Sequence, residues 1–150
     1  MADSNALVIT VADVLASTNA NPQFAQGIAG VSITAGDALY VDTNNSNVLK
    51  LANASGSTPV NVLAGVALHA ALTGQPIRYL TSDGAFKLGT ALTAGDCVFL
   101  SGATAGIFTN GIADVQKSGM QTILLGICVI GGNAATATVK VNITPGGSTA

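Results

Sequence analysis

Residues 34–41 read TAGDALYV, and residues 93–100 read TAGDCVFL. In both copies a Thr-Ala-Gly-Asp quartet leads into a run of apolar residues, which is the pattern of a tight turn entering a buried strand. Glycine supplies the positive φ of such a turn, and the adjacent aspartate accepts hydrogen bonds from nearby backbone amides. We therefore predict that Asp37 and Asp96 are turn residues. The alternative, a pair of carboxylates acting as acid and base, would require the two turns to meet in space.

Two further blocks repeat in the same order at offsets of about 60 residues. Residues 63–68 (LAGVAL) return as residues 124–129 (LLGICV), and residues 77–79 (IRY) return as residues 139–141 (VKV). A period this long with only two copies is not that of a solenoid, which needs at least about three repeats. The chain is therefore predicted to form two similar β units, at residues 31–80 and 90–143, within one compact β-sandwich or barrel at residues 23–143.

The rest of the pattern also favours a mainly β fold. Short runs rich in Val, Ile, Thr, Tyr and Phe alternate with clusters of Gly, Asn, Ser and Asp. The polar residues 44–47 (NNSN) predict a hairpin between strands at residues 38–41 and 48–51. Further strands are predicted at residues 31–33, 62–68 and 77–80. Helix is not predicted, because Gly, Thr and Asn interrupt every window and few charged residues are present to solvate a helix surface.

The composition excludes several classes of function. The chain has 150 residues and a net charge of −2, and its five Lys and Arg residues are too few for a nucleic-acid-binding stripe. One His and no Glu leave little for acid–base chemistry or a metal site, so no enzyme activity, metal or cofactor is predicted. The longest apolar run, residues 123–130, is far shorter than the roughly 20 residues of a membrane-spanning helix. Residues 1–5 carry no positive charge typical of a signal peptide.

Two cysteines are too few for a disulfide framework in a chain of this length. Cys97 and Cys128 each stand in an apolar run, at positions where the other copy has Ala38 and Ala67. We therefore predict that both are small, inert core residues.

The two ends of the chain lie outside the repeats. Residues 6–11 (ALVITV) are apolar and β-branched, and an Asn- and Pro-containing stretch separates them from the body. Residues 1–22 are therefore predicted to be an extended N-terminal arm, which would add a strand to a partner. Alternatively they form the first strand of the sheet, or a short helix with one apolar face. Residues 144–150 (TPGGSTA) are predicted to be a flexible tail.

The low charge predicts a protein that is part of an assembly. Only 8% of residues are charged, against about 25% in ordinary soluble domains. Such a chain must cover its surface with Thr, Ser, Asn and Gly or bury it against other chains. Uncharged strand edges also favour pairing with a neighbour.

Several motifs resemble the small capsid cement proteins of tailed phages. The second half shares four of them, at residues 84–88 (GAFKL), 91–99 (ALTAGDCVF), 125–129 (LGICV) and 138–143 (TVKVNI). The first half is more similar to the lambda-type head decoration family, at residues 41–43 (VDT), 49–51 (LKL), 63–67 (LAGVA) and 77–86. The chain departs from the lambda-type pattern because it has no Trp and carries a second repeat.

The resemblance implies a structural protein without an active site. Such proteins form homotrimers at three-fold or pseudo-three-fold positions of an expanded capsid, where they bind the major capsid protein and clamp adjacent capsomers. The implied location is the virion surface, after synthesis in the host cytoplasm, with no contact to nucleic acid or membrane. Within the predicted arm, we expect Leu7, Ile9 and Val11 to contact the capsid.

Two alternatives belong to other classes of protein. A tail-fibre or adhesin module would bind a cell-surface glycan, and it would need aromatic side chains open to solvent. An Asp-based glycoside hydrolase would need two carboxylates about 5–10 Å apart in a cleft. Binding to glycans, against binding to expanded, empty capsids, separates the first alternative from the capsid hypothesis.

Overall fold

The computed structural model describes residues 6–111 and 121–148 and is mainly β, as predicted. Its strands are β1 (Gln23–Ile28), β2 (Ala38–Asp42), β3 (Val48–Leu51), β4 (Gly65–Ala67), β5 (Pro76–Phe86), β6 (Cys97–Leu100), β7 (Phe108–Thr109), β8 (Gln121–Ile130) and β9 (Thr138–Ser148). In the described ranges the only helix is a 3₁₀ turn at Val11–Asp13. Residues 1–5, 112–120 and 149–150 lie outside the description.

The strands form one antiparallel sheet that curls into a half-barrel. Its order is β3-β2-β4-β5-β9-β8-β6-β7, and β1 branches off by pairing with β5. Strand β5 is the junction: its first half pairs with β1 and β4, and its second half pairs with β9. We refer to β2, β4 and β5 as unit 1 and to β6, β8 and β9 as unit 2.

Both Thr-Ala-Gly-Asp quartets form the predicted turn. A side-chain oxygen of Asp37 accepts the N–H of Thr34 at 2.8 Å. The equivalent bond from Thr93 to Asp96 measures 3.0 Å. The glycine of each turn has positive φ, +90° in the first copy and +95° in the second. The prediction of turn residues is therefore confirmed at both positions.

The two turns are also tied to the next strand by the same pair of backbone hydrogen bonds. Ala67 accepts the N–H of Gly36 at 2.8 Å and donates to Asp37 at 2.9 Å. In unit 2, Cys128 accepts from the glycine of its turn at 2.8 Å and donates to Asp96 at 2.7 Å. The repeat seen in the sequence is therefore a repeat of local backbone structure.

The third repeated block has a different offset in the structure. Ala67 pairs with Tyr79, and its equivalent Cys128 pairs with Val139. Tyr79 thus corresponds to Val139, whereas the sequence match aligned Tyr79 with Val141. The sequence match is misaligned by two residues because a strand has a two-residue period. A shift of two residues leaves the alternation of apolar and polar residues unchanged, so the pattern cannot reveal it.

Two clusters of buried side chains make up the core. The larger one contains residues of both units, including Val66, Leu80, Val98 and Val139, together with Phe108 of β7. The smaller one covers the opposite side of unit 1, where Leu39 and Tyr79 pack against Ala29, Ile33 and Ala71. Both sides of unit 1 are therefore covered within the chain.

Several predicted elements differ in extent. The hairpin is confirmed, with Asp42 opposite Val48. Residues 31–33 make only an isolated bridge between Ile33 and Ala71, and residues 62–68 contribute the short strand β4. β1 was not predicted. β9 continues through Ser148, where the sequence predicted a flexible tail, because residues 144–148 pair with the start of β8.

Candidate functional site

The N-terminal segment, residues 6–22, lies along the body of the protein. The N–H of Leu7 donates to the carbonyl of Phe108 at 2.9 Å, so the segment extends the sheet beside β7. Further along, Leu15 and Lys87 exchange two backbone hydrogen bonds, of 2.9 and 3.0 Å. The segment therefore pairs with strands of its own chain over this region.

The three predicted contact residues differ in exposure. Leu7 is 9% exposed and belongs to the larger core cluster, and Ile9 is partly buried against the same cluster. Val11 is 48% exposed. Val8, which was not among the predicted contact residues, is 84% exposed. We call Val8 and Val11 the N-terminal surface. Leu7 anchors the segment in the core, whereas Val8 and Val11 present their side chains to solvent, as does Leu15 further along, which is 58% exposed.

A second exposed apolar surface lies on the outer side of unit 2. Cys97, Ile127 and Lys140 are aligned across β6, β8 and β9 by strand pairing. Ile127 is 44% exposed, and Val129, two residues further on the same face, is 47% exposed. We call this surface the β8 face; it comprises Cys97, Leu124, Ile127, Val129, Lys140, Asn142 and Thr144. A shallow groove of about 260 Å³ runs over most of it.

The β8 face was not predicted, although the sequence contains an indication of it. Residues 123–130 (ILLGICVI) are apolar without alternation. Such a run is typical of a strand with apolar neighbours on both of its faces. In the structure, however, only one side of β8 faces the core.

The two cysteines occupy opposite sides of unit 2. Cys128 is 1% exposed in the larger core cluster, and burial raises the pKa of its thiol. Cys97 is half-buried on the β8 face. The prediction of an inert core residue is therefore confirmed for Cys128 and wrong for Cys97. The side of β6 that carries Cys97 is the outer side, although the equivalent Ala38 points into the core.

Four of the described carboxylates, those of Asp37, Asp42, Asp83 and Asp96, have backbone or side-chain partners elsewhere in the fold. Asp42 forms an ion pair with Lys50 at 2.8 Å, and its hydrogen bond with Lys50 holds the pKa of that carboxyl below the usual value. Burial raises the pKa of Asp37. Asp83 is 3% exposed and accepts hydrogen bonds from Ser17 and Ala85. In residues 6–111 and 121–148, no group of three His, Cys, Asp or Glu residues is arranged to hold a metal.

The aromatic side chains are almost all internal. Five of the six are at most 8% exposed: Tyr40, Tyr79, Phe86, Phe99 and Phe108. The sixth, Phe24, is 38% exposed, and the guanidinium of Arg78 lies 4.0 Å from its ring centroid. In the part of the chain that the structure describes, no group of exposed aromatic rings forms a platform for a sugar.

His69 has a structural role at the end of β4. Its Nε2 accepts the backbone N–H of Arg78 at 3.1 Å, and its Nδ1 lies 2.9 Å from the carbonyl of Ala70. This pattern requires the proton on Nδ1, because Nε2 is the acceptor. The side chain thereby hydrogen-bonds the loop that follows β4 to strand β5.

Comparison with protein-family models and with curated proteins gave no match. Among the described residues, no helix has the length and apolar character needed to cross a bilayer. The protein thus carries two candidate functional surfaces, the N-terminal surface and the β8 face, and both are apolar.

Proposed function

We propose that this chain is a structural virion protein that binds the outer surface of a phage capsid as a homotrimer and stabilises the contacts between capsomers. The observation that carries the proposal is the combination of exposed aliphatic side chains with a charged fraction of only 8%. Large exposed apolar patches are typical of surfaces that meet another protein. The resemblance of the repeated motifs to capsid cement proteins supports the same function.

In this proposal the N-terminal surface is the capsid contact. Val8 is 84% exposed, yet its neighbour Leu7 is anchored in the core, so the contact is held on a defined backbone. Pre-ordering the segment removes part of the entropy loss that a free arm would suffer on binding. Ile9 is partly buried against the same core, so its side chain helps to fix the backbone of this stretch.

Stabilisation of the shell would come from many weak contacts. Each trimer touches several capsid subunits, and linked contacts bind together much more tightly than each does alone. The folded β body connects the contacts made to one capsomer with those made to the next. Neither bond making nor a cofactor takes part in this mechanism.

The test is co-sedimentation with expanded, empty capsids of the phage that encodes the chain. We expect the double variant Val8→Asp with Val11→Asp to lose about tenfold or more in apparent affinity for the capsid. The three copies of a trimer bind together, so a weaker contact in each copy lowers the affinity of the whole trimer several times over. The matched control is Leu72→Asp, which places the same charge at a residue that is 63% exposed on another part of the body. Wild-type protein that does not bind these capsids would refute the proposal, as would binding only to a cell-surface glycan.

A further inference from the structure

We infer that a groove beside the N-terminal surface receives a lysine or arginine side chain of the capsid protein, whose cationic group pairs with the carboxylate of Asp37. Because the partner named here is the capsid, this inference rests on the proposed function. The groove has a volume of about 470 Å³. It lies between the N-terminal segment, the first Thr-Ala-Gly-Asp turn and the loop that precedes β7. We call it the Asp37 groove.

The N-terminal segment covers one of the two repeated turns and leaves the other open. Gly36 and Gly95 occupy the same position in the two turns, and both have positive φ. A Cβ added at Gly36 would meet the side chain of Ile9, whereas one added at Gly95 would have no described atom within 4 Å. Asp37 and its counterpart Asp96 therefore share their local backbone structure but differ in their surroundings.

The carboxylate of Asp37 is the one ionisable group among the described residues that line the groove. Burial raises its pKa from 3.8, because the surrounding residues exclude water from the carboxylate. In the described part of the chain, its side chain accepts a hydrogen bond from the N–H of Thr34. Asp42, by contrast, has the ammonium group of Lys50 as its partner. A partly desolvated carboxylate with a neutral donor is stabilised when a cation is placed beside it.

The lining of the groove favours a long basic side chain over a metal ion. Lysine and arginine carry their charge on an aliphatic stem, which packs on apolar surface. Val8, Ile9 and Val11 supply such a surface along one side of the groove. A calcium ion would need six or more oxygen ligands, and the groove holds a single carboxylate. Val8 and Val11 also form the N-terminal surface, so one segment of the capsid protein can contact that surface and place its basic side chain beside Asp37.

The first test is co-sedimentation of two matched variants with expanded, empty capsids at neutral pH. Asp37→Asn removes the charge and keeps an oxygen that can accept the N–H of Thr34. Its apparent affinity should fall about fivefold or more, because the partner's cation loses its counter-charge in every linked copy. Asp96→Asn makes the same change in the other turn, where Thr93 is the donor, and should bind as the wild type does. Thermal unfolding establishes that both variants are folded.

A second pair of variants tests the groove while Asp37 is intact. Thr104 is exposed and lines the groove, so Thr104→Lys places a cation of the chain itself beside the carboxylate. This cation repels the basic side chain of the partner and competes for Asp37, so the affinity should fall by a similar factor. Thr73→Lys is the control, because Thr73 is exposed and does not line the groove. It should bind the capsids as the wild type does.

The pH dependence distinguishes an ion pair from a change of shape. The ratio of the wild-type affinity to that of Asp37→Asn should fall toward one as pH decreases through the pKa of Asp37, because both side chains are then neutral. Titration of capsid groups affects both proteins and cancels in this ratio. The parts of the chain that surround Asp37 in the groove, residues 6–11, 34–36 and 104–107, carry no ionisable side chain.

The outcomes separate this inference from the proposed function. Wild-type protein that does not bind the capsids would overturn both. If the wild type binds and Asp37→Asn binds equally well, the basic side chain in the groove is overturned and the proposed function stands. Equal losses in Asp37→Asn and Asp96→Asn would also overturn the inference, as would a loss in Asp37→Asn that stays constant while Asp37 is titrated.

Discussion

Ser17 directs two hydrogen bonds to the carboxylate of Asp83. Its backbone N–H donates to Oδ2 at 2.7 Å, and its hydroxyl donates to Oδ1. The same carboxylate accepts the N–H of Ala85 at 3.1 Å, at an irregularity in the pairing of β5 with β9. A single buried side chain therefore links the N-terminal segment to the strand that joins the two units.

Asp83→Asn should destabilise the protein by about 1.5–3 kcal/mol, because buried hydrogen bonds to a charged acceptor are lost or weakened. The N-terminal segment should also become sensitive to protease, since its link to β5 is weakened. Denaturant unfolding and limited proteolysis measure the two effects. Ser17→Ala is the control, because it keeps the backbone N–H and should cost only about 1 kcal/mol. Equal stability of Asp83→Asn and wild type would contradict this view.

Gly65 and Gly126 occupy equivalent positions and should both resist substitution. A Cβ at Gly65 would overlap the carbonyl oxygen of Leu80, and a Cβ at Gly126 would overlap that of Lys140. Because backbone must move in each case, either change to Ala should cost about 2–3 kcal/mol or more in unfolding free energy. Gly74→Ala is the matched control: Gly74 has φ +88° but no atom within 4 Å of an added Cβ. It should cost about 1 kcal/mol, from backbone strain alone. Similar losses at all three positions would show that contact with the neighbouring strand is unimportant.

The ion pair between Asp42 and Lys50 should make stability depend on pH at both extremes. The pKa of Asp42 is lowered from 3.8 by folding, so its contribution is present above pH 3.8 and lost as pH falls through the folded pKa. The hydrogen bond to Asp42 raises the pKa of Lys50 from 10.5. Its contribution is therefore present below pH 10.5 and lost as pH rises through the folded value.

Asp42→Asn tests this dependence, because it removes the ion pair and retains an oxygen that can accept the N–H of Asn44. The difference in melting temperature between wild type and variant should be largest near neutral pH. It should shrink as pH falls below 3.8 and through the folded pKa, because the wild-type carboxyl then becomes protonated. A difference that stays constant as the wild-type carboxyl is titrated would rule out the ionised carboxylate as its cause.

Leu7 and Val8 should respond very differently to the same substitution. Leu7→Ala removes a side chain that is 9% exposed in the core and should cost about 2–3 kcal/mol. Val8→Ala alters a side chain that is 84% exposed and should change stability by less than about 0.5 kcal/mol. Thermal unfolding compares the two. If both variants were as stable as the wild type, the docked position of the segment would be wrong.

The parts of the fold that depend on local chemistry could be predicted from the sequence. The turns at Asp37 and Asp96 need only a glycine with positive φ and an aspartate that accepts the backbone N–H of the threonine three residues before it. The hairpin between β2 and β3 likewise depends on the polar turn between two apolar runs. These features involve residues close together in the chain, so the pattern alone specifies them.

The parts that depend on distant contacts could not be predicted. Ser17 and Asp83 are 66 positions apart, and nothing in either neighbourhood indicates the other. For the same reason the sequence left open whether residues 1–22 form an arm or the first strand, and it did not show that residues 6–22 pack on the body. Cys97 was misplaced because the repeat shows which residues are equivalent but not which side of each unit meets the core. The exposure of Ile127 and Val129 likewise depends on which side of β8 packs on the core, which only the folded structure shows.

Strand β5 gives the molecule a mechanical property. This eleven-residue strand of unit 1 also pairs with β9 of unit 2, and the pairs Asp83–Val141 and Phe86–Val139 lie beyond the residues that pair with β1 and β4. A force that pulls the units past each other along this strand loads its hydrogen bonds together rather than one after another. We therefore expect the protein to resist pulling along β5 more than pulling that peels β5 from β9 one hydrogen bond at a time.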